Sequence, residues 1–272
     1  EVIIPSLMSR GLTLQDARDY NIIGCVEPQK SGKTEGWHDA AFFNMCRPLE
    51  LVFSNGIDKG VRIGPATGNV EDMTTFEQFY DAYKKQMDYA IQLLVNADNA
   101  IDMAHAERCP LPFLSSMVDD CMKVGKTVQE GGAVYNFTGP QGFGVANMAD
   151  SLYSVKTLVY DEKKITMGEL KEALATNYGK GLGAEDVAAM TAKIANELKE
   201  AGKTIGEKEV AAILNTVVAA SEAPEVKANG ERILKLIEEV PKFGNDIPEV
   251  DAFARDVAYT YTEPLQNYKN PR

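Results

Sequence analysis

Histidine, tryptophan and paired cysteines are scarce in this 272-residue chain, which has two His, one Trp and four Cys. Two histidines leave few ligand sets for a metal, and Cys25, Cys46, Cys109 and Cys121 contain no C-x-x-C pair. Neither a zinc ribbon nor a disulfide framework is supported, so no metal site and reduced thiols are expected. No stretch approaches the roughly 18 to 20 consecutive apolar residues that a spanning helix needs. The opening EVIIPSLMSRG lacks the basic start, long apolar run and small-residue site of a signal peptide, which predicts a cytoplasmic protein. Positive charge is also short, with 28 Lys and Arg against 40 Asp and Glu and a net charge of −12. Such a field repels phosphate backbones and anionic lipid, so nucleic acid and membrane surfaces are poor partners and small molecules or proteins better ones. The chain starts without Met, and Tyr268-Lys269-Asn270-Pro271-Arg272 reads as continuing, so a fragment of a longer protein is expected.

What is present suits a globular protein: 44% hydrophobic and 25% charged residues, in a chain long enough to bury a core. All four Cys, both His and the Trp precede residue 160, whereas 161 to 240 holds one aromatic, Tyr178, so the chemistry belongs to the first part. Apolar positions stepping by three or four predict amphipathic helices at Met190, Ile194 and Leu198, at Val210, Ile213, Leu214, Val217 and Val218, and at Ile233, Leu234 and Ile237. They read as a helical insertion over 179–232 between a larger portion, 1–178, and a return segment, 233–272. Helical spacing also marks Asp39 to Phe53 and Thr74 to Asp102, the latter with Phe76, Phe79, Tyr83, Met87, Ile91 and Leu94 on one face. Asn21-Ile22-Ile23-Gly24 predicts a short strand, Gly131 to Phe137 a second buried strand or a tight loop, and Asp246 to Thr262 a closing helix. The fold class is α/β, mostly helical with few short strands.

The densest group of chemically capable residues runs from Gly24 to Asp39, with Cys25, several carboxylates, His38 and Trp37. Ser31-Gly32-Lys33-Thr34 invites a phosphate-loop reading, but Glu27 stands where that motif needs its first glycine, and Trp37-His38 does not continue an apolar helix. Cys25 with His38 lacks a local signature of a cysteine hydrolase. What remains is a thiol two residues from a carboxylate, just after a strand. Alternate residues of an extended loop face one side, so Cys25 and Glu27 would address one small substrate. A neighbouring carboxylate opposes thiolate formation, which is poor for nucleophilic attack and harmless to chemistry using a neutral S–H.

Gly24-Cys25-Val26-Glu27-Pro28 resembles the cysteine loop of the glycyl radical enzymes, the family that includes pyruvate formate-lyase and the cobalamin-independent diol dehydratases. Ile101 to Pro112 (IDMAHAERCPLP), Phe113 to Asp120 (FLSSMVDD), Gly131 to Asp150 (GGAVYNFTGPQGFGVANMAD) and Pro241 to Arg272 are similar to it as well. The resemblance covers nearly the whole chain outside about 179 to 232. It implies part of a ten-stranded α/β barrel with the Cys25 loop projecting inward, opposite a C-terminal glycine loop that this sequence lacks. By the same resemblance Cys25 is the radical carrier and Glu27 the base that deprotonates a substrate hydroxyl. Cys25 is followed by Val26, not by the second cysteine of pyruvate formate-lyase, which turns the expectation from acetyl transfer to a dehydratase or lyase.

Trp37-His38-Asp39 is similar to the run in glycerol and propane-1,2-diol dehydratases, which implies that Asp39 binds the departing hydroxyl beside His38. Choline trimethylamine-lyase, hydroxyproline dehydratase, isethionate sulfite-lyase and formate C-acetyltransferase are the alternatives within the fold. The resemblance further implies no directly bound cofactor, a protein glycyl radical installed by a radical S-adenosylmethionine activating enzyme, a homodimer when full length, and a place in the cytoplasm or a bacterial microcompartment. The plainer readings are Cys25 as a small buried thiol, Glu27 as a loop carboxylate in an ion pair, Asp39 as a cap on a helix starting at Ala40, and His38 as a hydrogen-bonding neighbour. Cys46, Cys109 and Cys121 read as packing residues and His105 as a core or helix-end histidine. The glycines of 139–144 would let backbone approach the interior.

Overall fold

The computed structural model describes residues 2–181 and 223–272. Its helices are α1 (Ile3–Ser9), α2 (Leu14–Arg18), α3 (Cys46–Phe53), α4 (Phe76–Arg108), α5 (Pro112–Ser115), α6 (Cys121–Val124), α7 (Val145–Val155), α8 (Met167–Ala175), α9 (Pro224–Glu239) and α10 (Pro248–Leu265). The strands are β1 (Asn21–Ile23), β2 (Glu27–Gln29), β3 (Thr34–Trp37), β4 (Phe42–Asn44), β5 (Ile57–Asp58), β6 (Val61–Arg62), β7 (Tyr135–Thr138) and β8 (Gln141–Phe143). They form two compact units between which the chain alternates. One takes the chain up to Asn44, Ile91–Phe143 and Thr262–Arg272, and the other takes Met45–Ala90 and Gly144–Tyr261.

The first unit carries the strands around the cysteine loop. β1 and β2 pair antiparallel, with Ile23 opposite Glu27. β3 runs parallel to β7, from Thr34 against Tyr135 to Trp37 against Thr138, and β4 runs parallel to β8, with Phe42 opposite Gln141. Leu7, Leu12 and Ala17 are buried beneath, packed with Tyr135 and Phe137 of β7. Thr13 caps α2 by accepting the Asp16 N–H at 3.1 Å. The buried Asp16 carboxylate then accepts from Lys33 Nζ at 2.9 Å and Tyr135 Oη at 2.7 Å. These two donors hold Asp16 down to about 2, against the opposing effect of burial.

The same unit contains a second buried charge cluster. The Arg272 guanidinium, 2% exposed, donates from Nε to Asp102 at 2.8 Å and from one terminal nitrogen to Phe137 O at 2.8 Å, and sits 3.4 Å from Glu35. Burial pushes the Glu35 carboxyl up and Arg272 opposes it. The stripe along α4 explains why carboxylates occur inside. Phe76, Phe79, Tyr83, Met87 and Ile91 are buried at three- or four-residue steps, and Asp98 and Asp102 continue the stripe once the surroundings turn polar.

The described part of the second unit is helical apart from the antiparallel hairpin of β5 and β6. Phe76, Phe79, Tyr80, Tyr160 and Phe253 form a ring cluster with neighbouring centroids 5.7 to 6.4 Å apart. The buried Phe76 and Phe79 rings each contribute roughly 1.5–3 kcal/mol, and the half-buried Tyr80, Tyr160 and Phe253 contribute less. α7 continues into a π-helical turn at Lys156–Asp161. α8 opens with a reciprocal cap between Thr166 and Glu169, and Arg232 of α9 reaches Glu169 at 2.7 Å. Gly230 is buried on α9, where an added Cβ would stand 2.3 Å from the Tyr178 carbonyl oxygen.

The α4 and α10 helices and the β1 strand match the sequence expectations within a few residues, as does α9 for Ile233 to Ile237. The helices expected around Met190 to Leu198 and Val210 to Val218 lie outside the described residues. The helix expected from Asp39 is shorter and begins at Cys46. The residues before it are drawn into β4 by its parallel partner β8, so Asp39 caps no helix. Cys121 is buried, but Cys109 is exposed and does not pack inside.

Candidate active site

Gly24, Cys25 and Val26 make the turn that joins β1 to β2, with Gly24 in the left-handed region at φ +62°. Cys25 is exposed at this turn in the 272-residue chain. Glu27, the first residue of β2, folds its side chain back over the turn. Its Oε2 accepts the N–H of Cys25 at 2.9 Å and of Val26 at 3.0 Å. The Val26 and Glu27 N–H groups lead in holding this carboxyl below the usual range, with the Cys25 N–H and Gln141 adding to them. A Cβ at Gly24 would stand 2.7 Å from Glu27 Oε2, so a side chain there would push the carboxylate from its place over the turn.

The other oxygen of Glu27 has a partner from far along the chain. Gln141 Nε2 donates to Glu27 Oε1 at 2.6 Å and also to Asp39 Oδ1. Asp39 lies in the exposed bend between β3 and β4, and the Gln141 N–H donates to Ala41 O at 2.8 Å on the same connection. Cys25, Glu27 and Asp39 are thus gathered around one hairpin through a glutamine that the sequence did not single out. Its signals were the permissive glycine run at 139–144 and the family-like stretch Gly131 to Asp150 around it.

His38 lies between these groups and the core. Its Nε2 is buried without a hydrogen-bond partner, and burial pushes the imidazole down, with Glu27 and Asp39 opposing. A Cβ at Gly36 would fall 2.0 Å from that nitrogen, and a Cβ at Gly139 would sit 3.1 Å from His38 Cα. Two glycines therefore make the space that the ring occupies. Trp37 meets the exposed His105, in the last part of α4, edge-on at 5.7 Å. His105 is accordingly a helix-end residue.

The phosphate-loop reading fares differently. Lys33 is turned to Asp16, and the Thr34 hydroxyl accepts the Lys30 N–H at 3.1 Å. These side chains brace α2 against the strands instead of framing an anion. Among the described residues, no three His, Cys, Asp or Glu side chains converge to hold a metal ion, and no helix is long and apolar enough to cross a membrane. The chemistry on offer is an accessible thiol, an ionised carboxylate beside it, and a second carboxylate joined to the first by an amide.

The chain superposes with a TM-score of 0.95 and 58% identity on a structure solved for 1,2-propanediol dehydration in Roseburia inulinivorans, covering 99% of this chain and 32% of that one. The B12-independent glycerol dehydratase from Clostridium butyricum gives a TM-score of 0.79 at 49% identity, over 99% of this chain and 28% of its own. Among curated proteins, (2S)-3-sulfopropanediol dehydratase of Klebsiella oxytoca is 40% identical over 177 residues, 64% of this chain and 21% of that protein. The chain thus spans about a fifth to a third of these relatives. The expected α/β barrel fold of glycyl radical enzymes is the fold of these neighbours, and the strand pairs and helices described above are a portion of it. The profile of the pyruvate formate lyase-like family matches residues 1–272 from end to end, and the chain belongs to that family.

Proposed function

We propose that this chain is the cysteine-loop portion of a glycyl radical lyase that removes water from a small vicinal diol such as propane-1,2-diol or glycerol. The observation that carries the reading is the exposed Cys25 thiol on a turn whose N–H groups are held by Glu27, with Asp39 bound to the same carboxylate group through Gln141. The likeness to structures of 1,2-propanediol dehydration and of a glycerol dehydratase supports it. A glycine radical elsewhere in the full protein, installed by an activating enzyme that uses S-adenosylmethionine and an iron–sulfur cluster, supplies the unpaired electron.

The residues of this chain would then act in order. Cys25 Sγ, as a thiyl radical, takes a hydrogen atom from a carbinol carbon, so an S–H bond forms as the C–H bond breaks. Glu27 takes the proton of the hydroxyl on that carbon, a task suited to a carboxylate kept ionised at neutral pH. The neighbouring C–O bond breaks, and its oxygen leaves as water with a proton passed through the Asp39 carboxyl. The resulting carbon radical takes its hydrogen atom back from Cys25, which gives an aldehyde and restores the thiyl radical. His38, with a neutral ring and an unpartnered Nε2, is assigned to a further polar contact with the substrate.

The test is product identification by NMR after anaerobic activation of the full-length protein. Glycerol, propane-1,2-diol, trans-4-hydroxyproline, isethionate, choline, and pyruvate with coenzyme A are offered separately. An aldehyde from either diol is expected; sulfite, trimethylamine, a pyrroline or formate would replace the diol with another substrate class. Cys25→Ser is expected to abolish turnover with the fold intact, and near wild-type turnover in that variant would end the radical assignment.

A further inference from the structure

We propose that Gln141 is a positioning residue that sets the separation of Glu27 and Asp39 so that the pair brackets two hydroxyl groups on adjacent carbons. Both partners of its side-chain nitrogen are carboxylates, which only accept hydrogen bonds when ionised, so the group between them must be a double donor. A primary amide nitrogen is one, and its two hydrogens serve one carboxylate each. Because a single nitrogen bonds both, the two oxygens it contacts lie within about 6 Å of one another. Without a donor between them, two like charges at this spacing repel and part.

The bridge is rooted at every end. Gln141 opens β8, where its N–H donates to Ala41 O at 2.8 Å, and its side chain is half-buried. Asp39 stands two positions before Ala41, so one connection fixes both the carboxylate and the strand that presents the amide. Glu27 is fixed from the opposite side by the N–H groups of Cys25 and Val26. Gln141 takes one acceptor site on Glu27 Oε1 and one on Asp39 Oδ1, and with Glu27 Oε2 held by the turn N–H groups, the second site of Oε1 and the remaining sites of Asp39 are left for a ligand. A vicinal diol carries its two oxygens at a spacing that such a pair can bracket, whereas a lone hydroxyl engages only one side.

The substrate part of this inference rests on the proposed function; the positioning part does not. The test uses full-length Gln141→Met, which removes both donors at similar volume, and Gln141→Glu, which replaces the donor with a third acid. In crystal structures of the Met variant, the Asp39 carboxylate is expected to move from its place beside Glu27 by about 1 Å or more. Both carboxylates staying within about 0.5 Å of their wild-type positions would overturn the positioning role. Kinetics are measured on whichever compound the wild type converts, with the radical quantified by electron paramagnetic resonance so that activation and turnover are separated.

With radical content unchanged, kcat should fall by about a hundredfold in the Met variant. The acid limb of kcat/KM should move to higher pH in the order wild type, Met, Glu, since losing donors makes Glu27 easier to protonate. A merely structural glutamine would not produce that order. If Gln141→Met keeps the wild-type rate and acid limb while Cys25→Ser is dead, the bridge falls and the dehydratase reading stands. If the wild type converts no diol but Asp39 still moves in the Met variant, the substrate reading falls and the positioning role stands.

Discussion

Single side chains in this protein are held by small sets of donors aimed at one carboxylate, and their ionisation follows from that. Asp16 is the clearest case outside the candidate site, held down to about 2 chiefly by Lys33 and then Tyr135. A carboxylate depressed on folding adds stability above its unfolded pKa, and that contribution is lost as pH falls through the folded value. The window therefore runs from about pH 4 down to about 2. Asp16→Asn is expected to lower the melting temperature at pH 7 and to flatten the fall of stability between those two limits, as followed by circular dichroism. An unchanged acid profile in the variant would show that the Lys33 and Tyr135 contacts carry no such weight. Glu27 follows the same sign by direction, through the turn N–H groups that also place it.

Among the elements, α4 shows what periodicity can and cannot reveal. Its apolar stripe from Phe76 to Ile91 was legible because a 3.6-residue repeat is written locally. The strands were less so. β3, β4, β7 and β8 are three or four residues long, and each owes its existence to a parallel partner about a hundred positions away. This distance explains why Asp39 to Phe53 reads as one helix when only Cys46–Phe53 is helical. It also explains why Cys25, Glu27 and Asp39 were visible as residue types in one short stretch while Gln141 was not. At the junction of α8 and α9, the absent side chain of Gly230 matters most. Gly230→Ala would drive a methyl group against the Tyr178 carbonyl, so the alanine should cost roughly 1–3 kcal/mol despite its better helix propensity. Thermal unfolding of the two proteins decides it, and a stabilised alanine variant would mean that the contact yields.

For the molecule as a whole, surface composition and charge pull in opposite directions. Val26, Phe42, Met103, Phe113, Met117 and Met122 of the first unit are each more than half exposed, against a net charge of −12 that keeps copies apart. Expressed alone, the 272-residue chain should therefore associate, and light scattering should rise with protein concentration and further with salt as repulsion is screened. A stable, compact monomer in high salt would contradict this. The alternation of the chain between its two units has a consequence for how the site can be inherited or transplanted. Glu27 and Gln141 stand 114 positions apart, with Met45–Ala90 of the other unit threaded between them. A gene crossover anywhere in that interval would draw Glu27 and Gln141 from different parents, so recombination keeps this hydrogen-bonded pair from one parent only as one block reaching from the cysteine loop to β8.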